Sequence, residues 1–464
     1  GIMMNKNNQI MYSVMPWIAS IAFFMQTLDA SILITSLPKM ADSLNESPLN
    51  LETAVICYSL TLAIFIPVSG FVSDRFGTRN IFIFSLGIFS LGSFCSAVSV
   101  SLFWLDVSRV IQGIGGAMMV PVSRLVLLKI FDKKQLLTAL NRAGLLGLIG
   151  PFIGPVLGGY LTDNLSWHWI FLINIPFGIL GIMLSLKFMP NIKNDTASND
   201  YAGLVMVSLS FIFITLSLEV IDENNNWLFS FLLFFAGIFS IVMYVIYAKK
   251  NSHCENDKSI FKLLLFTIRT FRLGLLGNSL GRMGSQAITF LIPLFLQLVF
   301  GYSALSAGLT LTPVALSAIF VKGIIPSVLG RYGYKMCLMF STVIVGIAIG
   351  CLSLVTTHTP VYLIVMTLLL IGGFNSLRFT ALSSITLADL PPEQSSSGNS
   401  LLSTSQQLAI TFGVSLASVL IRLLESNETL VDAFKISFFV FGVITILSSG
   451  VFMQLRLKDG SNLI

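Results

Sequence analysis

Asp74-Arg75-Phe76-Gly77-Thr78-Arg79 stands between two apolar runs, 52–72 and 81–100, and Gly330-Arg331-Tyr332-Gly333-Tyr334-Lys335 stands between two more, 303–328 and 336–357. Both charged stretches read Arg-aromatic-Gly-x-basic. Each flanking run has about the 20 residues that cross a hydrocarbon core, so each stretch reads as a short turn between two membrane spans. Its recurrence says that the chain repeats. Working outward, runs of spanning length lie at 13–37, 52–72, 81–100, 102–128, 138–161, 168–188, 201–221 and 227–248, then at 273–300, 303–328, 336–357, 360–386, 398–422 and 434–456. The simplest account is two six-span halves, 13–188 and 273–456, with two additional spans at 201–248. A charged, then amphipathic connection at 249–272 is expected to lie along the cytoplasmic face. Two related halves around a midplane site are the plan of many secondary transporters.

Composition sets the same class. Of 464 residues, 55% are hydrophobic and 10% are charged, against about 25% charged in a soluble domain, and the mean hydropathy is +0.88. That balance excludes a soluble globular enzyme, a disordered chain and a nucleic-acid binder. Fourteen spans of roughly 22 residues take about two-thirds of the length and leave no room for a sizeable soluble domain. The formal charge of +6 reflects placement. Arg75, Arg79, Lys129, Lys249, Lys250, Arg269, Arg272, Arg331 and Lys335 gather on one set of connections, while the other set holds Lys39, Arg422 and Lys435 among acids such as Asp42, Glu46 and Asp432. By the positive-inside rule the first set is cytoplasmic. An even count of spans places both termini on that side. A native start at Met3 or Met4 is expected, without a cleavable leader, because the first apolar run continues for a full span. The five cysteines (Cys57, Cys95, Cys254, Cys337, Cys351) are scattered and contain no CxxC, so neither a disulfide framework nor a zinc site is indicated.

Charge inside a bilayer costs at least ~2.5–3.5 kcal/mol per residue at the centre on insertion scales, so each such residue needs a reason. Asp29 in the first span and Arg109 in the fourth both lie roughly 10–14 Å below the outer surface at ~1.5 Å per residue, and Gln112 is one turn from Arg109. A desolvated carboxyl holds its proton and a nearby guanidinium releases it. A movement that changes their separation would therefore load or unload a proton. The bland alternative is a permanent pair that only orients helices. Gly70, Asp74, Arg75, Gly77 and Arg79 suit a cytoplasmic latch, with Asp74 facing a helix N-terminus and the bases meeting lipid phosphates or acids; otherwise they form a solvated turn. In the fifth span, Gly147, Gly150-Pro151, Gly154-Pro155 and Gly158-Gly159 combine a smooth face for close helix approach with two bends. Such a helix can serve as a rocking surface or as static packing.

Together, in this order, these motifs resemble the major facilitator superfamily, and within it the fourteen-spanner drug:proton antiporters. Leu28-Asp29-Ala30-Ser31-Ile32 resembles the first-span motif, Gly70 to Arg79 the signature loop, and Arg109-Val110-Ile111-Gln112-Gly113 the fourth-span motif. Gly147 to Gly159 resembles the antiporter motif, and Trp167-His168-Trp169 through Asn174-Ile175-Pro176 the entry to the sixth span. The resemblance implies an all-α polytopic membrane protein with the major facilitator fold, in the bacterial inner membrane. It implies export of amphipathic small molecules in exchange for protons. Asp29 and Arg109 would serve coupling, Asp74 and Arg75 the inner gate, and Gly150 to Gly159 the conformational change. Two departures stand out. Ser31 and Ile34 replace the usual Thr and Asn, which predicts thin polar contacts around Asp29, and His168 replaces a common Arg.

The expected cavity draws on Phe24, Met25, Met118, Phe290, Phe295 and Phe379. Arg282, Lys322 and Arg378, placed within the ninth, tenth and twelfth spans, favour neutral or anionic amphiphiles over lipophilic cations unless they snorkel to the interface. The expected partners are the lipid bilayer, protons and a small amphiphilic substrate. No cofactor beyond the proton as coupling ion is expected, and the protein should be a monomer. No nucleotide-binding G-x-x-x-x-G-K-[ST] occurs, so the chain does not itself use ATP. Gly277-Asn278-Ser279-Leu280-Gly281 formally matches a hydrolase elbow, but it lies inside an apolar run and not at a strand-to-helix turn. Two alternatives stay open: a dedicated proton-coupled exporter of one metabolite (a siderophore, fatty acid or amino-acid derivative), and, more remotely, a non-transporting membrane sensor.

Overall fold

The computed structural model describes residues 6–193, 200–221, 226–251, 259–391 and 394–463. Asn194–Asn199, 222–225 and 252–258, with Cys254, lie outside the described residues, as does part of the 249–272 connection. Among the described residues the chain is helical and contains no strand. Fourteen long helices follow one another. The first six are α1 Lys6–Ile32, α2 Glu52–Phe65, α3 Thr78–Ala97, α4 Leu102–Ile130, α5 Lys133–Asn164 and α6 Asn174–Phe188. They are followed by α7 Tyr201–Glu219 and α8 Trp227–Asn251. The last six are α9 Arg269–Leu298, α10 Ala304–Val321, α11 Tyr334–Cys351, α12 Val361–Ala388, α13 Ser395–Glu425 and α14 Leu430–Ser448. Thirteen described segments are long and apolar enough to cross a membrane. The remaining helix, α9, is 30 residues long but carries Arg282 and Gln286 among its apolar residues, which lowers its hydropathy. Large apolar side chains such as Phe84, Leu186, Phe235, Phe239, Phe340 and Leu447 point outward. Such a surface is stable only against lipid.

Two compact units form, one of residues 1–199 with 303–309 and the other of 200–302 with 310–464. Within the first, α1 packs on α4, α5 and α6, and α3 on α4 and α6. Within the second, α9 packs on α12, α13 and α14, and α11 on α12 and α14. The same pairing in the same order is the structural form of the repeat seen at Arg75 and Arg331. Helices α7 and α8 pair with each other, and α7 also packs on α13. Met25, Met118, Phe82, Phe89 and Val122 lie in the interior of the first unit, and Leu338, Leu382, Ile385 and Phe452 in that of the second.

One expectation changes. The stretch Gly70 to Phe76 is helical, not a loop: Ser69–Phe76 is a two-turn helix, and the chain turns at the single residue Gly77, at φ +97°. The second unit repeats this, with helix Ile325–Tyr332 and Gly333 at φ +80°. Lys322, expected within the tenth span, stands where α10 stops at Val321, exposed in the turn before the helix Ile325–Tyr332. Leu263–Thr267 is a short 3-10 turn and α9 begins at Arg269, while Phe261 is anchored through both backbone groups to the Tyr244 hydroxyl.

Candidate functional site

The first unit buries two formal charges side by side. Asp29 is 0% exposed and Arg109 1%. Arg109 Nη1 donates to Asp29 Oδ2 at 2.8 Å, and Gln112 Nε2 donates to Asp29 Oδ1 at 2.9 Å. Gln112 Oε1 in turn accepts from Arg109 Nη1 at 2.9 Å, closing a three-membered ring of side chains. The i, i+3 spacing of Arg109 and Gln112 puts both on one face of α4, and that face meets α1 where Asp29 emerges. Arg109 Nε donates to the Ala54 carbonyl of α2 at 3.0 Å. The guanidinium carbon lies 4.3 Å from the centre of the Tyr58 ring, a cation–π contact that is strongest when desolvated.

Asn174 completes the arrangement. Its Nδ2 lies 3.4 Å from Asp29 Oδ1 and 3.0 Å from Ser93 Oγ. The expectation of thin polar contacts around Asp29 is therefore not met: the donors come from α4 and α6 instead of from α1. Ser31 has another task, donating to the Gly150 carbonyl of α5 at 3.1 Å. All three partners of Asp29 present N–H groups, so the carboxylate is held as an acceptor.

The fifth-span motif packs against the helix that carries Asp29. A side chain at Gly147 would strike Phe23, at Gly150 the Thr27 hydroxyl, at Gly154 the Ser31 hydroxyl and at Gly158 the Ile32 carbonyl. Thr35 donates to the Pro155 carbonyl at 3.0 Å, and Ser36 and Thr162 share a hydrogen bond at 2.8 Å. The smooth face is thus a zipper between α1 and α5 inside one unit, because every fourth residue of α5 falls on the stripe that α1 covers. Gly159 points elsewhere: a side chain there would meet the Ala304 carbonyl at 2.5 Å. Pro151 and Pro155 sit inside α5 without ending it.

In the gate motif, Asp74 does not face a helix N-terminus. It pairs with Lys129 of α4 at 3.4 Å, a partly exposed pair of the kind that contributes little by itself. Gly77 is pressed on by Asn191, and Thr78 exchanges hydrogen bonds with Pro190 and Ile192. The tail of α6 therefore clamps the turn. Arg75 lies 5.5 Å over the Phe76 ring, as Arg331 lies 5.4 Å over Tyr332. Gly70 has open space around it, and Arg79 is half-buried. His168 stacks on Trp167 with ring centres 3.9 Å apart, and partial burial pushes its pKa below the usual histidine value.

The expected cavity residues divide. Met25 and Met118 are buried in the interior of the first unit, Phe290 is 4% exposed, and Phe295 packs on Phe300, Phe434 and Phe438. These four are packing residues, as large apolar side chains at helical spacing usually are. Phe24 is half-buried against Phe177. Arg282, Arg378 and Phe379 come together, with the two guanidinium carbons 4.1 and 4.8 Å from the one ring centre. Sequence reasoning assigned no role to Asn174, Tyr58 or Asn191. Asn174 stood within the quoted entry to the sixth span, but a neutral amide carries no signal that it faces a carboxylate.

Comparison with known proteins places this geometry. The family model of the Major Facilitator Superfamily matches residues 19–253 and 274–462. The chain is 41% identical over 409 residues to "Putative multidrug resistance protein MdtD" of Pectobacterium atrosepticum, covering 87% of this chain and 86% of that one. It is 41% identical over 423 residues to the protein of the same name from Escherichia coli O6:H1, covering 90% and 88%. Among solved structures, a POT family transporter in complex with 5-aminolevulinic acid superposes with a TM-score of 0.69 at 14% identity, over 97% of this chain and 96% of that one. A D-xylose-proton symporter does so with 0.69 at 13%, over 96% and 98%. At these identities the structures share the fold alone.

Proposed function

Because the chain belongs to the major facilitator superfamily, we propose that it exports amphipathic small molecules across the bacterial inner membrane in exchange for protons, by alternating access, with both termini in the cytoplasm. The observation that carries the reading is the fully buried carboxylate of Asp29 on a spanning helix, held by Arg109, Gln112 and Asn174. An acid that only glued helices together is replaceable by apolar packing. One that exchanges a proton is not. The names of the curated relatives support a broad, drug-like substrate range.

In this reading Asp29 carries the proton. Arg109 and Gln112 hold the ionised form, and a shift of α4 against the zipped pair α1 and α5 withdraws their donors so that a proton can enter. The Ser69–Phe76 helix, with Asp74 on Lys129 and the turn at Gly77, serves as the inner latch. The proton is the only coupling species, ATP plays no part, and a monomer suffices. Proteoliposomes with an acidic lumen test this. Wild type should accumulate a fluorescent amphiphile, while Asp29→Asn should bind it and lose gradient-driven uptake. Equal accumulation by both proteins would sink the reading.

A further inference from the structure

In each six-helix half the first and fourth helices carry a charged pair, but the pairs differ in sign. In the first unit α1 and α4 bring together Asp29 and Arg109, each other's counterion. In the second unit α9 and α12, which pack on each other, bring together Arg282 and Arg378. Arg378 is 2% exposed, and its only hydrogen bond among the described residues runs from Nη2 to the Gly281 carbonyl at 3.2 Å. Its Nε and Nη1, and Nε of Arg282, have no partner among the described residues. Two asparagines join them. Asn278, 0% exposed, lies one turn before Arg282 on α9 and has neither amide atom bonded, and Asn375 lies one turn before Arg378 on α12 with its Oδ1 unbonded. Gly281 keeps the spot open, since a side chain there would lie 3.3 Å from Arg378 Nη2 and 3.2 Å from the Phe379 ring.

Two cations against one ring, with unused N–H groups and no carboxylate, are costly in a spanning bundle. A buried charge needs a hydrogen-bonded counterion, and none pairs with either arginine among the described residues. We propose that Asn278, Arg282, Asn375 and Arg378, on the Phe379 ring, form a binding site for the carboxylate of an amphipathic organic anion. Arg378 donates to the carboxylate through Nη1 and Arg282 through Nε, Asn278 Nδ2 adds a neutral donor, and Phe379 holds both guanidiniums in place through its face. That the bound anion is also exported rests on the transport reading above. The binding itself does not.

The test is equilibrium dialysis of the purified full chain in uncharged detergent. The probes are 2-naphthoate and 2-naphthylmethylammonium, which share a ring and differ in head-group sign, with thermal unfolding followed in parallel. Wild type should bind the carboxylate at least tenfold more tightly than the amine. Arg282→Gln and Arg378→Gln should each weaken naphthoate binding about tenfold or more, as for a lost charge-assisted hydrogen bond. Without ligand, Arg378→Gln should unfold no earlier than wild type, because it removes an unpaired buried charge. Equal binding of the two probes, or naphthoate binding unchanged in both variants, overturns the site, and so does early unfolding of Arg378→Gln with binding intact. Phosphatidylglycerol that excludes naphthoate in an Arg378-dependent way makes the occupant a lipid headgroup and overturns the substrate assignment. Arg378-dependent binding without any gradient-driven uptake supports the site and counts against the export reading alone.

Discussion

Asp29 and Arg109 tolerate burial because each neutralises the other at 2.8 Å, and the consequence is testable. Removing one partner of a buried pair leaves an uncompensated charge and costs about 3–5 kcal/mol, whereas removing both can be nearly neutral. Arg109→Gln should therefore lower the thermal unfolding midpoint sharply in detergent. The double substitution Asp29→Asn, Arg109→Gln should recover most of that loss without recovering transport. A double variant as unstable as the single one would mean that the pair is not what couples the two positions. Both charges were legible in the sequence, since an Asp and an Arg inside apolar runs have few explanations. Asn174 was not, because it lies 145 residues from Asp29 and only the packing of α6 against α1 and α3 brings it near.

At the scale of elements, small residues decide how closely helices approach. Gly158 of α5 faces the Ile32 carbonyl, a backbone atom that cannot rotate away, whereas Gly87 of α3 has nothing within 4 Å. Gly158→Val should thus reduce folded yield and lower the unfolding midpoint, while Gly87→Ala should leave both near wild type; the same loss in both would remove close packing as the cause. Gly77 is a different case. Its φ of +97° is strained for any residue with a Cβ, by roughly 1–3 kcal/mol, and Asn191 fills the space beside it. Gly77→Ala should lower stability by at least that much, measured against Gly70→Ala, which meets no neighbour. The glycine spacing of α5 was plain in the sequence. Its partner was not, because a stripe of glycines says that something approaches closely and not which helix it is.

For the whole molecule, the repeated pairing of helices and the bias of Lys and Arg together predict sidedness. In a cysteine-free background, Thr356→Cys, after α11, and Asn427→Cys, between α13 and α14, should react with a membrane-impermeant maleimide added to intact cells. Arg331→Cys, at the end of Ile325–Tyr332, should react only after lysis. Labelling of Arg331→Cys in intact cells would reverse the orientation. Lys322 reads as part of an apolar run, and the structure adds that α10 ends one residue earlier and leaves it exposed in a turn beside Gly323 and Pro326.

Hydropathy and charge placement, which are sums over many residues, determined by themselves that the chain spans a membrane, about how many times, in two related halves, and which pair of residues carries charge into the first. Those properties depend on each residue's transfer free energy and not on its neighbours. The tertiary structure decided what depends on neighbours. It surrounds Asp29 with three donors, turns the glycine motif toward α1, buries Met25 and Met118 as packing, and leaves Arg282 and Arg378 facing one ring with no carboxylate partner among the described residues. Hydrogen bonds and ion pairs act over about 3 Å, and only the packing of helices distant in sequence determines which groups come within that reach.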